Sequence, residues 1–587
     1  MQNMRKTVFN LLFLWPGRLA GGILLCAVLI ATSAAHAQTV PSDPEVACSV
    51  SNTTINGWFK SGMAMLDGVV NPANSVSFPN TPNCSFYEWS YHMFLWLTSI
   101  SPPIYGGGGG RIFESSAFFD VSPLDGGKRT LTPHSSGLVN KLATFAKQVG
   151  RNRLPLVVDK QGRIFEVQPP PRLPVSPRIK ASSGQLVEIS RAQIGDNGQL
   201  ILLDKAGRRI TPSVLAAPPE RSVRVRELRP ANARRARKFL INGISIFVDL
   251  AGNLIEVEQG MADGSVLIAQ NGSPIYYGIA VNEVMAYFRT MQGSTVPSTL
   301  MFPTTQGELD TVTNFAAAHG RTFVDPEALA FEVKTSWIEA AGLANPDDFI
   351  TMTADIPTYD KSNPLHWVKN GHKNAKVALV GMHVVGSAAG HPEMIWATFE
   401  HVGNTPNDAY SYRDSMGGIK PIVQDTSGNW VFAATNSTTF SGAPHQIISG
   451  DDIVAFSPPT PIGPDNIIRR KAWGAASDVS PNPLKGTPAS NSEIISVNNS
   501  VRAVLAAGDV RRNYIVTGST WMIAGQFPFT SFNTTEVGTS KLNNSTMETF
   551  TEGTNTLAAS TFNCFTCHGG GKTTSVSHVF SDLKPLF

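Results

Sequence analysis

After residue 37 the chain has no run of about 18 uninterrupted apolar residues, the length a membrane-crossing helix needs, so no membrane span is expected in the mature protein. Charge is also scarce. Only 16% of the 587 residues are Asp, Glu, Lys or Arg, and the formal net charge is +3, too close to balance to suggest a nucleic-acid partner. Cysteine is scarcer still at five, which excludes a disulfide-dense secreted scaffold and leaves each thiol to be explained singly. By contrast, 51 glycines and 40 prolines, with many Thr, Ser and Asn, favour short strands and frequent turns over a helical bundle. The expected fold class is α+β and β-rich, with antiparallel sheets and short helices. The length exceeds one ordinary core, so two or more packed units are expected.

A short apolar run, below the length of a comfortable membrane span, lies at the N-terminus. Arg5, Lys6 and Arg18 precede an apolar stretch over residues 19–31, and Ala35-His36-Ala37 has the small-x-small form of a cleavage site. This pattern reads as a secretory signal peptide over residues 1–37, cleaved near Ala37. Cys26 follows Leu25 rather than a small residue, so no lipoprotein anchor is read. A periplasmic or secreted bacterial protein is expected, and in that oxidising setting Cys48 and Cys84 are available to form a disulfide or to remain buried thiols.

The remaining two cysteines carry the strongest chemical signal. Cys564-Phe565-Thr566-Cys567-His568 is a C-x-x-C-H sequence, the attachment signature of a c-type haem. Two thiols at this spacing add to the two vinyl groups on one haem edge, and the adjacent His568 becomes the proximal iron ligand. Two rivals use the same atoms. A zinc site would draw on Cys564, Cys567 and a later histidine such as His578, but neighbouring Cys567 and His568 hardly reach one ion together, and no fourth ligand is evident. A reversible Cys564–Cys567 dithiol would need a βαβ setting that is lacking. One covalent haem c held by Cys564, Cys567 and His568 is therefore the expected cofactor.

Elsewhere the patterns read mainly as architecture. Phe86, Trp89, Met93 and Trp96 recur at helical spacing from Cys84 to Leu97, with Asn83 as the expected N-cap. His92 on this helix reads as a packed or half-exposed residue rather than a ligand. Gly106 to Gly110 reads as a flexible loop, with no P-loop context to support phosphate binding. Between 150 and 285, an apolar-Asp-x-x-Gly pattern recurs around Asp159, Asp204 and Asp249 at a constant interval of 45 residues, and Asn271-Gly272 repeats it less faithfully. These aspartates read as turn formers in a β-hairpin-repeat region, with too few units for a propeller. A basic run containing Arg221, Arg224, Arg226, Arg229, Arg234, Arg235 and Arg237 reads as a solvated linker or as a face for an acidic redox partner. Val377–Val385 and Met394–Val402 are strand-like runs expected to pair as a hairpin across Gly386–Glu393. That pairing brings His383, Glu400 and His401 into one neighbourhood, with Glu400 and His401 on opposite faces.

Several strings together resemble a family of large exported bacterial cytochrome c-like proteins: Leu379–Val385, Trp396–Val402, Asn544–Phe550 ahead of Cys564–His568, and more loosely Ile275–Tyr277, Glu332–Lys334, and Asn513-Tyr514 before Thr520-Trp521. The resemblance covers most of the second half, implies a single covalent haem c and electron transfer, and carries no substrate. The expected layout is a signal peptide at 1–37, the N-terminal part of the main body at 38–149, the hairpin-repeat region at 150–285, the β-rich main body at 286–545 and a C-terminal haem-binding segment at 546–587. Unlike small cytochromes, this chain ends at Phe587, soon after the motif. The sixth iron ligand must then be His578, upstream Met547, or a separate element such as His383 or His401, or the position is open.

The leading expectation is an exported monohaem electron carrier, with a redox partner protein or a small-molecule electron donor or acceptor. The alternatives are a periplasmic haem oxidoreductase with its substrate site in the β-rich body, and a non-redox surface binding protein with a zinc-holding C-terminus. No convincing catalytic residue set accompanies the enzyme reading.

Overall fold

The structure is a computed structural model. It describes residues 40–587 except 80–82, 107–109, 124–127, 135–139, 145–155, 160–163, 169–176, 195–199, 214–233, 242–243, 256, 259–265, 438–439, 441–445, 450, 456–459, 470–471, 474–486, 526–535, 540–541, 543, 548–563 and 569–572. The signal-peptide segment and Arg221, Arg224, Arg226 and Arg229 lie outside the described residues, as do Gly107–Gly109 and the side chain of Cys567.

The fold is α+β and β-rich, built on a 12-stranded sheet. Its central strands run out of chain order: Phe118–Val121, Tyr276–Asn282, Phe331–Glu339, His366–Ala388, His391–His401 and Tyr514–Met522 lie side by side, all antiparallel to their neighbours. Strands from both main-body segments therefore share one sheet. Tyr276–Asn282, expected in the repeat region, belongs to this sheet too. The central strands are buried on both faces and accordingly read as nearly continuous apolar runs, as Val377–Val385 does.

The expected hairpin forms, but its strands reach Ala388 and His391 rather than stopping at Val385 and Met394. Gly386 is a strand residue and not part of the turn. A Cβ there would strike the rings of Phe331 and Trp89, so the glycine admits aromatic packing from one side of the sheet.

That side is covered by the helix Asn83–Leu97 and the helix Thr487–Val504. The first helix begins at Asn83, which is its first residue rather than its cap. Phe94 stacks on Phe399 of the sheet at 4.2 Å, and Phe86 stacks on Trp521 at 3.8 Å. These rings join Trp96, Trp337, Met382, Val384, Ile494 and Val501 in the largest apolar cluster. A disulfide between Cys48 and Cys84, with Cα atoms 5.0 Å apart, ties the N-terminal segment to the start of the aromatic helix. His92 is half-buried, stacked on Trp58 at 4.6 Å, and donates from Nε2 to the Asn71 carbonyl at 2.9 Å. Burial pushes its pKa down to about 4.

The repeat region forms separate small sheets. Leu156–Asp159 and Ile164–Gln168 pair as a hairpin within a 6-stranded sheet that also contains Ile244–Asp249 and Leu254–Ile255. The Asp204 carboxylate accepts from the backbone N–H groups of Ala206 and Arg208. Asp249 repeats this geometry with Ala251 and Asn253. Gly207 and Gly252 follow with φ of 75° and 81°, a region open to glycine at no steric cost. Asp204 and Asp249 are turn formers, as expected, and the turn after Asp159 lies outside the described residues.

Candidate functional site

The other side of the main sheet is covered by the C-terminal part of the chain. Strand alternation points Glu332, Lys334 and Ser336, then Gly381 and His383, then Trp396, Thr398 and Glu400, to this side. His401 turns to the opposite side, against Phe349 and Tyr514. Its Nδ1 accepts from Gly403 N–H and its Nε2 donates to the Asp348 carbonyl. With both nitrogens engaged and its pKa lowered to about 3, first by burial, His401 is a structural residue.

Cys564–His568 forms one turn of helix, which puts Cys564 and His568 one above the other at i and i+4. Phe565 is buried beside Trp396 at 5.9 Å, and the His568 ring packs on Trp396 at 4.2 Å. Trp396 is held in turn by a 2.9 Å hydrogen bond from its Nε1 to the Glu393 carbonyl. His568 Nδ1 lies 2.6 Å from the Val576 carbonyl oxygen. A carbonyl only accepts, so Nδ1 carries the hydrogen and Nε2 the lone pair. Burial, then the charge on neighbouring His578, His383 and Lys334, holds the His568 pKa well below the usual imidazole range, which keeps that lone pair available.

The C-terminal segment that supplies Val576 is anchored to the body at several points. Ser577 donates to Glu332 at 2.6 Å. The backbone of Arg129 exchanges hydrogen bonds with Asp582 and Lys584, and the Phe580 carbonyl accepts from Arg289 Nε at 3.1 Å. Glu332 has its pKa raised by burial, against the lowering effect of Ser577, Arg129 and Lys334.

Upstream, Asn544 to Met547 are clipped to the same strands. Asn544 Nδ2 donates to Thr398 Oγ1 at 2.8 Å, and that hydroxyl also contacts His383 Nδ1 at 2.8 Å. Ser545 N–H donates to Glu400 at 2.8 Å. Glu400 forms a fully buried ion pair with Arg469 at 2.7 Å. Thr546 Oγ1 lies 2.7 Å from Ser336 Oγ, and its carbonyl accepts from Tyr277 OH at 2.9 Å. A Cβ at Gly381 would collide with Thr546 and Ser336, so this close approach requires glycine.

The candidate distal residues are separated. His578 stacks on His568 with ring centroids 3.9 Å apart and planes 14° apart. An iron shared by two imidazoles lies roughly 2 Å from a nitrogen of each, which sets the rings end-on rather than face to face. Met547 is fully buried in a different apolar cluster, with Tyr277, Val380 and Ile467, whereas Phe565 and Val576 belong to the cluster around Trp396. The structure thus brings His578, Trp396, Lys334 and His383 toward His568 and leaves Met547 and His401 elsewhere.

A c-type haem fits the residues present. The donor set offers a neutral imidazole with Nε2 as its lone-pair nitrogen. Lys334, only 6% exposed, and Arg129, whose buried Nε has no hydrogen-bond partner, offer positive charge suited to an anionic group such as a haem propionate. Among the described residues, no group of three or more His, Cys, Asp and Glu converges as a metal site. Sequence reasoning missed Arg129, Val576 and Ser577 altogether. Glu332, Lys334 and Trp396 stood only within the family-like strings, and alternation along 331–339 was the available signal.

Comparison with protein-family models, curated proteins and solved structures finds no match.

Proposed function

We propose that the chain is an exported monohaem c-type cytochrome, akin to the large exported bacterial cytochrome c-like proteins that its second half resembles, and that it transfers electrons to or from a redox partner. Cys564 and Cys567 hold the haem through thioethers, and His568 is the proximal ligand. The group supplies one-electron iron chemistry. The observation that carries the reading is the C-x-x-C-H motif on a single helical turn, with His568 Nδ1 tied to the Val576 carbonyl so that Nε2 is the ligating nitrogen.

Other residues support this role. Trp396 and Phe565 shield one side of His568 from water, and Lys334 and Arg129 place positive charge beside the site, which favours the reduced over the oxidised form of a bound group. The N-terminal pattern and the Cys48–Cys84 disulfide support passage into an oxidising compartment. No helix among the described residues is long and apolar enough to cross a membrane.

The test is expression with c-type maturation, followed by absorption spectra of denatured protein and intact mass. The expected result is one haem that stays with the denatured chain and is absent from a Cys564→Ala/Cys567→Ala variant. Stoichiometric zinc without haem would replace this reading with the zinc-holding one. Carbon monoxide binding to the reduced protein would mark an open iron and favour the oxidoreductase reading.

A further inference from the structure

We infer that the cavity at the C-terminal end of the helix Thr487–Val504 is a binding site for a small oxyanion, a carboxylate or a phosphate, held between Arg502 and Arg512. The cavity has a volume of about 320 Å³, and its lining includes Asp347, Asp348, Arg502, Asp509, Arg512 and Asn513. It lies on the aromatic-helix side of the main sheet, whereas the C-terminal segment covers the other side, so the inference does not depend on the haem.

The argument rests on which charges are already committed. Asp509 is consumed by Arg511, through contacts of 2.6 Å and 2.9 Å between fully buried side chains. Asp347 is almost fully exposed and faces Lys376 at 4.0 Å. The Asp348 carbonyl accepts from Asn513 Nδ2 and His401 Nε2, and its carboxylate has no hydrogen bond or ion pair among the described residues. Against it stand two guanidinium groups. Arg502 spends only Nε, donating to the Arg512 carbonyl at 2.6 Å, and its two terminal nitrogens have no acceptor among the described residues. The Arg512 side chain has no hydrogen bond or ion pair among them either.

Two half-buried arginines that line the same cavity bring like charges to it, and like charges repel. Burial first, and the Arg512 charge after it, lower the pKa of Arg502. An oxyanion between them relieves that repulsion and satisfies planar N–H forks that match carboxylate or phosphate oxygens. The volume is at the lower end for small-molecule sites, so a compact anion fits better than a nucleotide. The nearby helix C-terminus favours retaining the cations and disfavours an anion directly on the axis, which makes the arginines the attracting element.

The test is isothermal titration calorimetry on the full chain at constant ionic strength, with inorganic phosphate and with citrate as probes and chloride as the control. Saturable binding of either probe is expected, with a dissociation constant at or below about 1 mM, weakened at least about tenfold in Arg502→Gln and in Arg512→Gln. Phosphate alone or citrate alone would name the source of the oxyanion. Should Arg502→Gln fail to fold, Arg512→Gln keeps the test open, because the Arg512 side chain makes no hydrogen bond or ion pair among the described residues. No saturable binding of either probe up to ~10 mM, or unchanged binding in Arg512→Gln, would overturn the inference.

Discussion

The aromatic helix Asn83–Leu97 and the described residues from Asn544 onward cover opposite sides of the same strands with a different balance of contacts. On the helix side, ring stacks of Phe94 on Phe399 and Phe86 on Trp521 sit inside an apolar cluster whose burial is non-directional, and Ser90 and Tyr91 add hydrogen bonds to Ser519 and to the Tyr514 carbonyl. On the C-terminal side, Asn544, Ser545, Thr546, His568 and Ser577 each make a hydrogen bond with a particular partner. Apolar packing tolerates small shifts, whereas a hydrogen-bonded set loses its geometry when one partner moves. On the side that carries the C-x-x-C-H motif, such a bond fixes the orientation of His568.

Breaking each side at its strongest point should give the largest effects. Glu400→Gln breaks the fully buried ion pair with Arg469, a loss of about 3–5 kcal/mol. Phe94→Ala empties part of the aromatic cluster at a similar cost of about 3–5 kcal/mol. Denaturant midpoints measure both losses, and covalent haem content should fall in the first variant and be spared in the second. Equal effects on haem content would erase the distinction between the two sides.

Gly381→Ala should be next, at about 1–3 kcal/mol, by pushing Thr546 off the sheet. Increased proteolysis around 544–547 would report the displacement, and an unchanged pattern would show that the strand absorbs the methyl group.

The helix side also predicts a pH effect. His92 is held neutral when folded, with a pKa of about 4 against 6.5 when unfolded. Below pH 6.5 the unfolded chain binds the extra proton, so this stability is present above pH 6.5 and lost as the pH falls toward 4, by at most about 3 kcal/mol. Buried Glu332 and Glu393, with raised pKa values, act in the opposite sense, so the comparison must be with His92→Gln. The stability difference between the two proteins should change across that window, and a constant difference would mean that His92 is not held neutral. The smallest effect belongs to the repeat region: Asp204→Ala removes the turn hydrogen bonds at about 0.5–1.5 kcal/mol, read from the same denaturation curves without loss of haem.

The parts legible in advance were those written in local order. The strand-like runs 377–385 and 394–402 predict a hairpin, and the alternation of side chains along any strand puts Glu400 and His401 on opposite faces; both features are present. The turn was misjudged because glycine is ordinarily a breaker, and only the Phe331 and Trp89 rings across the sheet explain why Gly386 stays in a strand. The Asp-x-x-Gly turns were readable because their hydrogen bonds close within four residues. The surroundings of His568 were not readable in this way. Arg129, Lys334, Trp396 and Val576 come from distant stretches, and no periodicity links them.

By itself, the sequence determined the β-rich class, the turn chemistry of the repeats and the presence of two thiols and an imidazole at haem-attachment spacing, since each depends on neighbours within a few residues. Only the tertiary structure decided that strands from the N-terminal, middle and C-terminal parts share one sheet, and that Val576 orients His568. It also separated His578 from Met547 and left two arginines facing one cavity. These outcomes depend on which distant side chains share a sheet face and which charges find partners, and long-range packing alone sets them.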